Sequence, residues 1–128
     1  MQIQQDFLQD GQHYAVRSYG EGHLRINDDL ITESLILTPT EMDRSWPPTS
    51  FNELQSEHLD ALLERDPEVV LIGTGASTRV PQPWMMGHVM RAGAGLECMD
   101  TGAASRTFNV LVAEERRVVA GLFMIEPS

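Results

Sequence analysis

The sequence predicts one soluble α/β domain with a mainly parallel sheet, and three observations carry that expectation. The run Val69-Val70-Leu71-Ile72 is apolar on both faces and enters the loop Gly73-Thr74-Gly75, as a central strand covered on both sides does. From Ser50 onward, segments of helical period alternate with segments of strand character. Before that point the chain holds short alternating strands separated by turn residues.

Taken in order, His13 to Tyr19 alternates as a strand, and Gly20-Glu21-Gly22 turns the chain into His23-Leu24-Arg25-Ile26. Asn27-Asp28-Asp29 is a second turn, because Asn and Asp tolerate left-handed backbone and bond their own main chain. Leu30-Ile31 and Ser34 to Thr38 continue as strands, so this half reads as an antiparallel meander. Pro39, Pro47 and Pro48 remove ladder donors, which makes Thr38 to Thr49 an irregular connection, with Trp46 as its buried anchor. Leu54, His58 or Leu59, Leu62 and Leu63 then form a helical stripe, with Ser56 as its cap and Asp66-Pro67 as its end. A second helix starts near Pro83, buries Trp84, Met85 or Met86, Val89 and Met90, and closes at Gly93. Gly95 to Met99 is a strand, Asp100 caps a helix running to about Glu115, and Arg117 to Ile125 is the last strand. Right-handed crossovers are expected to place the strands of this half in one mainly parallel sheet. Residues 1–12 are expected to be weakly ordered and 126–128 to be a tail on a single domain spanning 1–128.

At 128 residues the chain has the size of one ordinary domain. Its nine basic residues, all Arg, face 19 acidic ones for a net charge of −10. Such a surface repels nucleic-acid phosphates and anionic membrane surfaces. No apolar segment has the roughly 18 residues a membrane span needs, so direct membrane insertion is not expected. Cys98 is the single cysteine, and the start of the chain lacks the basic and apolar regions of a secretory signal. A cytoplasmic location is the expectation.

The chemistry-bearing stretches are two. Gly73-Thr74-Gly75 follows a buried strand, where α/β proteins place ligand loops, and Asp100 lies about 25 positions further on. A third glycine at fingerprint spacing is missing, Pro81 delays the next helix, and no Lys completes a phosphate loop. The loop therefore reads first as a tight turn for close backbone approach. In the stretch Asp100 to Asn109, Arg106 and Asn109 are three apart and share a helix face. Gly73, Thr74, Gly75, Asp100, Arg106, Thr107 and Asn109 are the ligand-binding candidates, against the alternative that Asp100 caps the helix and Arg106 pairs with a carboxylate. His13, His23, His58 and His88 are dispersed without metal-ligand spacing, Cys98 reads as a small buried strand residue, and Ser77 and Ser105 lack a nucleophile elbow. No catalytic residue, metal or cofactor is assigned.

Val69 to Gly75, Met99-Asp100-Thr101, Ala103 to Asn109 and Glu114 to Ala120 resemble the signature of a family of small proteins of unknown function. Its mitochondrial member is respiratory complex I assembly factor three. The resemblance spans about His13 to Ile125. It implies a three-layer α/β fold with a mixed sheet and an antiparallel β-hairpin extension from the first half. It also implies action through protein contacts, with respiratory or membrane-complex assembly components as partners, and no established enzymatic activity. This chain carries Ser105 where many members are expected to have cysteine, which argues against an essential thiol. The reading that follows is a non-enzymatic binding or assembly-factor-like module. The alternative is a ligand-binding or enzymatic domain with a pocket beside the glycine loop. A homodimer through an exposed final strand is a third expectation.

Overall fold

The computed structural model describes residues 5–7 and 12–127. The elements are β1 (Gln5–Phe7), β2 (Val16–Gly20), β3 (His23–Ile26), β4 (Asp29–Ile31), β5 (Leu35–Leu37) and β6 (Glu41–Asp43), then α1 (Ser56–Leu63), β7 (Val69–Gly73), α2 (Pro83–Arg91), β8 (Gly95–Met99), α3 (Thr101–Ala113) and β9 (Val118–Leu122). A six-stranded sheet has the order β1-β6-β5-β9-β7-β8, and β2-β3-β4 form a separate three-stranded sheet. The main sheet is mixed. Its parallel part is β9-β7-β8, and β5, β6 and β1 extend it antiparallel. Of the N-terminal stretch 1–12, residues 1–4 and 8–11 lie outside the described residues, and Gln5–Phe7 pairs with β6.

Period-two alternation builds two cores, one on each face of the sheet. Leu35, Leu37, Leu71, Val118, Ala120 and Leu122 point to the side shared by α3 and the meander, where Leu24, Ile26, Ile31 and Phe108 complete the packing. Ile36, Val70, Ile72 and Val119 point to the other side, against Leu59, Leu62, Met85 and Val89 of α1 and α2. The result is three layers: two helices, a sheet, and a layer in which one helix lies beside the small β-meander.

The expected elements from α1 onward are found, with short adjustments at their ends. Pro83 opens α2, and Gly93 closes it at φ +86°. The helix α1 is capped by Gln55 instead of Ser56: the His58 ring nitrogen Nδ1 accepts from the Gln55 N–H at 2.9 Å while the Gln55 side chain caps His58 in return. Trp46 is buried, as anticipated. It stacks on Phe123 with ring centroids 5.2 Å apart, and its Nε1–H donates to the His58 carbonyl.

Four expectations need correction. Helix α2 buries Met85 and Val89, but Trp84 and Met90, expected on its buried side, are 39% and 65% exposed. The irregular connection Thr38 to Thr49 contains a strand, β6, held by Arg65, which bridges Glu41 at 3.0 Å and Asp43 at 2.8 Å. Strand β5 belongs to the main sheet and not to the meander, because its Leu-Ile-Leu run is buried on both faces. The final strand β9 is interior, between β5 and β7, so it offers no edge for dimer pairing.

Candidate functional site

The glycine loop sits at the carboxyl ends of the parallel strands. A Cβ on Gly73 would lie 2.9 Å from a Leu122 methyl and 3.0 Å from the Thr101 hydroxyl, so glycine here lets the start of α3 approach the sheet. Thr74 is buried. Its N–H donates to the Met99 carbonyl at 2.8 Å, and its hydroxyl oxygen lies 2.6 Å from the Ser77 carbonyl and accepts from Arg79 N–H. Gly75 adopts φ +103°, a conformation open to glycine and strained for other residues. Its N–H donates to Thr101 Oγ1 at 2.8 Å, and that hydroxyl in turn donates to the Phe123 carbonyl at 2.6 Å. The loop, the start of α3 and the end of β9 are thereby tied into one hydrogen-bonded knot.

A carboxylate occupies this loop. Glu126, beyond β9, accepts from the Ala76 N–H at 2.6 Å, and its Oε1 lies 2.6 Å from where a Gly75 Cβ would be. The Ala76 hydrogen bond, the Glu126 main chain and the Arg79 charge hold this carboxyl below its ordinary value. The tail is fixed from the other side as well, since Gly22 N–H donates to the Ile125 carbonyl at 2.8 Å.

The remaining candidates divide into two groups. Asp100 stays with the loop. Its Oδ1 accepts from Ala103 N–H at 2.9 Å, the N-cap expected of it, and its own N–H donates to Thr78 Oγ1. Thr107 donates its hydroxyl to the Met99 sulfur at 3.3 Å. Arg106 and Asn109 share a face, but that face meets the meander and not the loop. Asn109 accepts from Val16 N–H and donates to Val16 C=O, both at 2.9 Å, as a neighbouring strand would. Arg106 donates to the Tyr19 hydroxyl and lies over the Tyr19 ring at 5.8 Å, on an exposed surface. Tyr19 itself fills the space that a side chain at Gly102 would take.

Sequence reasoning missed Thr101, Glu126, Arg79 and Tyr19. Thr101 carried a signal, a hydroxyl directly after a cap residue, and Arg79 lies in the same connection as the loop, five positions from Thr74; Glu126 and Tyr19 are joined to the loop or to α3 only by the tertiary fold. The Cys98 thiol is pushed up to about 12, first by burial and then by the Glu97 charge, so it is a poor nucleophile near neutral pH. At the opposite, amino end of the parallel strands, a cleft of about 350 Å³ is lined by Thr38, Glu41, Arg65, Arg116 and Arg117 among others. Its arginines are engaged: Arg65 with Glu41 and Asp43, Arg116 with Glu68, and Arg117 with the Asp66 carbonyl. Among the described residues there is no helix long and apolar enough to cross a membrane, and no cluster of His, Cys, Asp or Glu able to hold a metal ion.

This combination of a mixed sheet, flanking helices and a three-stranded meander defines a small α/β protein of the Mth938-like kind. The solution structure of a Bordetella pertussis protein described as a Mth938-like domain matches with a TM-score of 0.78 at 26% identity, over 100% of this chain and 95% of that one. A crystal structure from Bordetella parapertussis matches with a TM-score of 0.84 at 32% identity, over 91% and 99%. The chain belongs to the family of proteins of unknown function DUF498/DUF598, whose model matches residues 16–123. Among curated relatives, the "13 kDa major membrane protein" of Francisella tularensis is 29% identical over 80% of this chain and 84% of its own length. The zebrafish (Danio rerio) "NADH dehydrogenase [ubiquinone] 1 alpha subcomplex assembly factor 3" is also 29% identical, over 84% of this chain and 63% of its own length. The chain thus spans somewhat less than two thirds of the assembly factors it matches, which in cattle is 60%.

Proposed function

We propose that this chain is a non-enzymatic binding module of the assembly-factor kind, acting through protein contacts. One observation carries the reading: the polar side chains that could have formed a reaction centre spend their hydrogen bonds on the chain itself. Asp100 caps a helix, Thr74 and Thr101 bond main chain, and Asn109 clamps Val16. The naming of relatives as assembly factors for NADH dehydrogenase supports the same reading and points to components of a respiratory or other membrane complex as partners. A cytoplasmic location belongs to the proposal, since a single cysteine held as a thiol suits a reducing compartment.

Affinity purification of the tagged chain tests it. A protein partner in stoichiometric amount is expected, with retention weakened by Arg106→Glu on the exposed face. Repeated recovery of the chain alone would overturn the reading.

A second reading has one observation in its favour: the loop already holds a carboxylate, that of Glu126. Under it, Gly73, Thr74, Gly75 and Asp100 form the wall of a small-ligand site, with Arg106, Thr107 and Asn109 further along α3. A thermal-shift screen with carboxylates and nucleotides checks this, because a ligand at 100 times its Kd adds about 2.7 kcal/mol of stability. No shift across the panel would remove it.

A further inference from the structure

Strand β8 ends the main sheet. Gly95 N–H donates to the Glu68 carbonyl at 3.0 Å and the Met99 carbonyl accepts from Thr74 N–H at 2.8 Å, so Gly95, Glu97 and Met99 turn their main-chain groups toward β7. The alternation of a parallel ladder then directs the N–H and C=O of Leu96 and Cys98 outward, where the sheet has no further strand among the described residues. An edge of this kind is a template for a visiting strand.

The side chains around that edge differ on its two faces. Above Leu96 and Cys98 lies α2, which buries Met85 and Val89 and bonds α1 through His88 to Asp60 at 2.7 Å. Met86 and Met90 stand about 200° around the helix from His88. They are therefore on the flank away from α1, beside β8, and they are 43% and 65% exposed. Methionine makes an adaptable apolar surface for recognition. On the other face Glu97 is exposed, and none of the ion pairs among the described residues uses it.

We infer that the β8 edge is the docking ledge for an extended segment of another protein. That segment alternates apolar residues, which lie against Met86 and Met90, with basic residues, which face Glu97. A second copy of this chain fits poorly. The antiparallel register that pairs the whole strand Gly95–Met99 with itself sets Glu97 opposite Glu97, on a molecule of net charge −10. A cationic strand meets the opposite situation on both counts.

The proposal rests on the reading of the chain as a protein-contact module. Its test uses the whole isotope-labelled chain and two synthetic ten-residue peptides, one alternating Val with Lys and one alternating Val with Glu. The Val/Lys peptide is expected to shift the Leu96 and Cys98 amides and to slow their exchange about tenfold, while the Val/Glu peptide leaves them unchanged. Glu97→Lys should reverse the preference, and Met90→Asp should weaken binding by about tenfold. Both substitutions are at exposed positions, and an unchanged circular-dichroism spectrum verifies folding. An equal response to both peptides, shifts confined to other elements, or a dimer in light scattering whose interface contains Leu96 and Cys98 would overturn it. A natural partner that binds wild type and Glu97→Lys equally well would also overturn the edge assignment, yet leave the module reading intact.

Discussion

Asn109 stands in for a strand that the meander lacks. Val16 bonds its two amide groups as it would bond a neighbouring main chain, and this joins β2 to α3. Asn109→Ala leaves two main-chain groups to find other partners, so a loss of about 1–3 kcal/mol is expected in urea denaturation. Glu126 allows a pH prediction. Its carboxyl sits below its ordinary value of 4.5 in the folded chain, chiefly through the Ala76 N–H. Unfolding frees it to bind a proton more readily, so its contribution is present above about pH 4.5 and is lost as pH falls through the lower folded value. The difference in melting temperature between wild type and Glu126→Gln should therefore be largest near neutral pH and vanish in acid. A constant difference across that range would count against the role assigned to the tail.

At the scale of elements, the sheet is built where one side chain lies flat on another's backbone. The Trp46 ring covers Gly121 in β9 so closely that a Cβ there would stand 2.5 Å from the ring. Gly121→Ala must push Trp46 away from Phe123, and overpacking of this kind costs about 1–3 kcal/mol. Reduced thermal stability with altered tryptophan fluorescence is the expected outcome. The second half of the molecule was legible in the residues, since Val69–Ile72, Pro83, Gly93 and Asp100 each carry a local signal for strand, helix start, helix end or cap. Strand β6 was not. Glu41-Met42-Asp43 has no apolar alternation and lies between prolines, and it is a strand because Arg65, more than 20 positions away, neutralises both acids. Burial opposes the charge on Arg65, yet the Glu41 bonds and both carboxylates hold its guanidinium even more firmly protonated than usual. Of the candidate site, the cap at Asp100 could be read locally. The roles of Asn109 and Glu126 could not, because their partners lie 93 and 50 positions off.

Across the whole molecule, both cores draw on β9. Val118, Ala120 and Leu122 supply one side, and Val119 with Phe123 just beyond supplies the other. Loosening either helical layer must therefore disturb the strand that the opposite layer rests on. A single transition is expected, with far-ultraviolet and near-ultraviolet circular dichroism melting together, and separate midpoints would show that the layers unfold independently. The central place of β9 also bears on how the protein is made. Strands β5 and β7 have no common boundary until β9 slides between them, and β9 is the last of the sheet's strands to leave the ribosome. A chain that stops at Arg117 lacks the strand that joins β5 to β7 and that supplies side chains to both cores, so neither core can close before β9 is made.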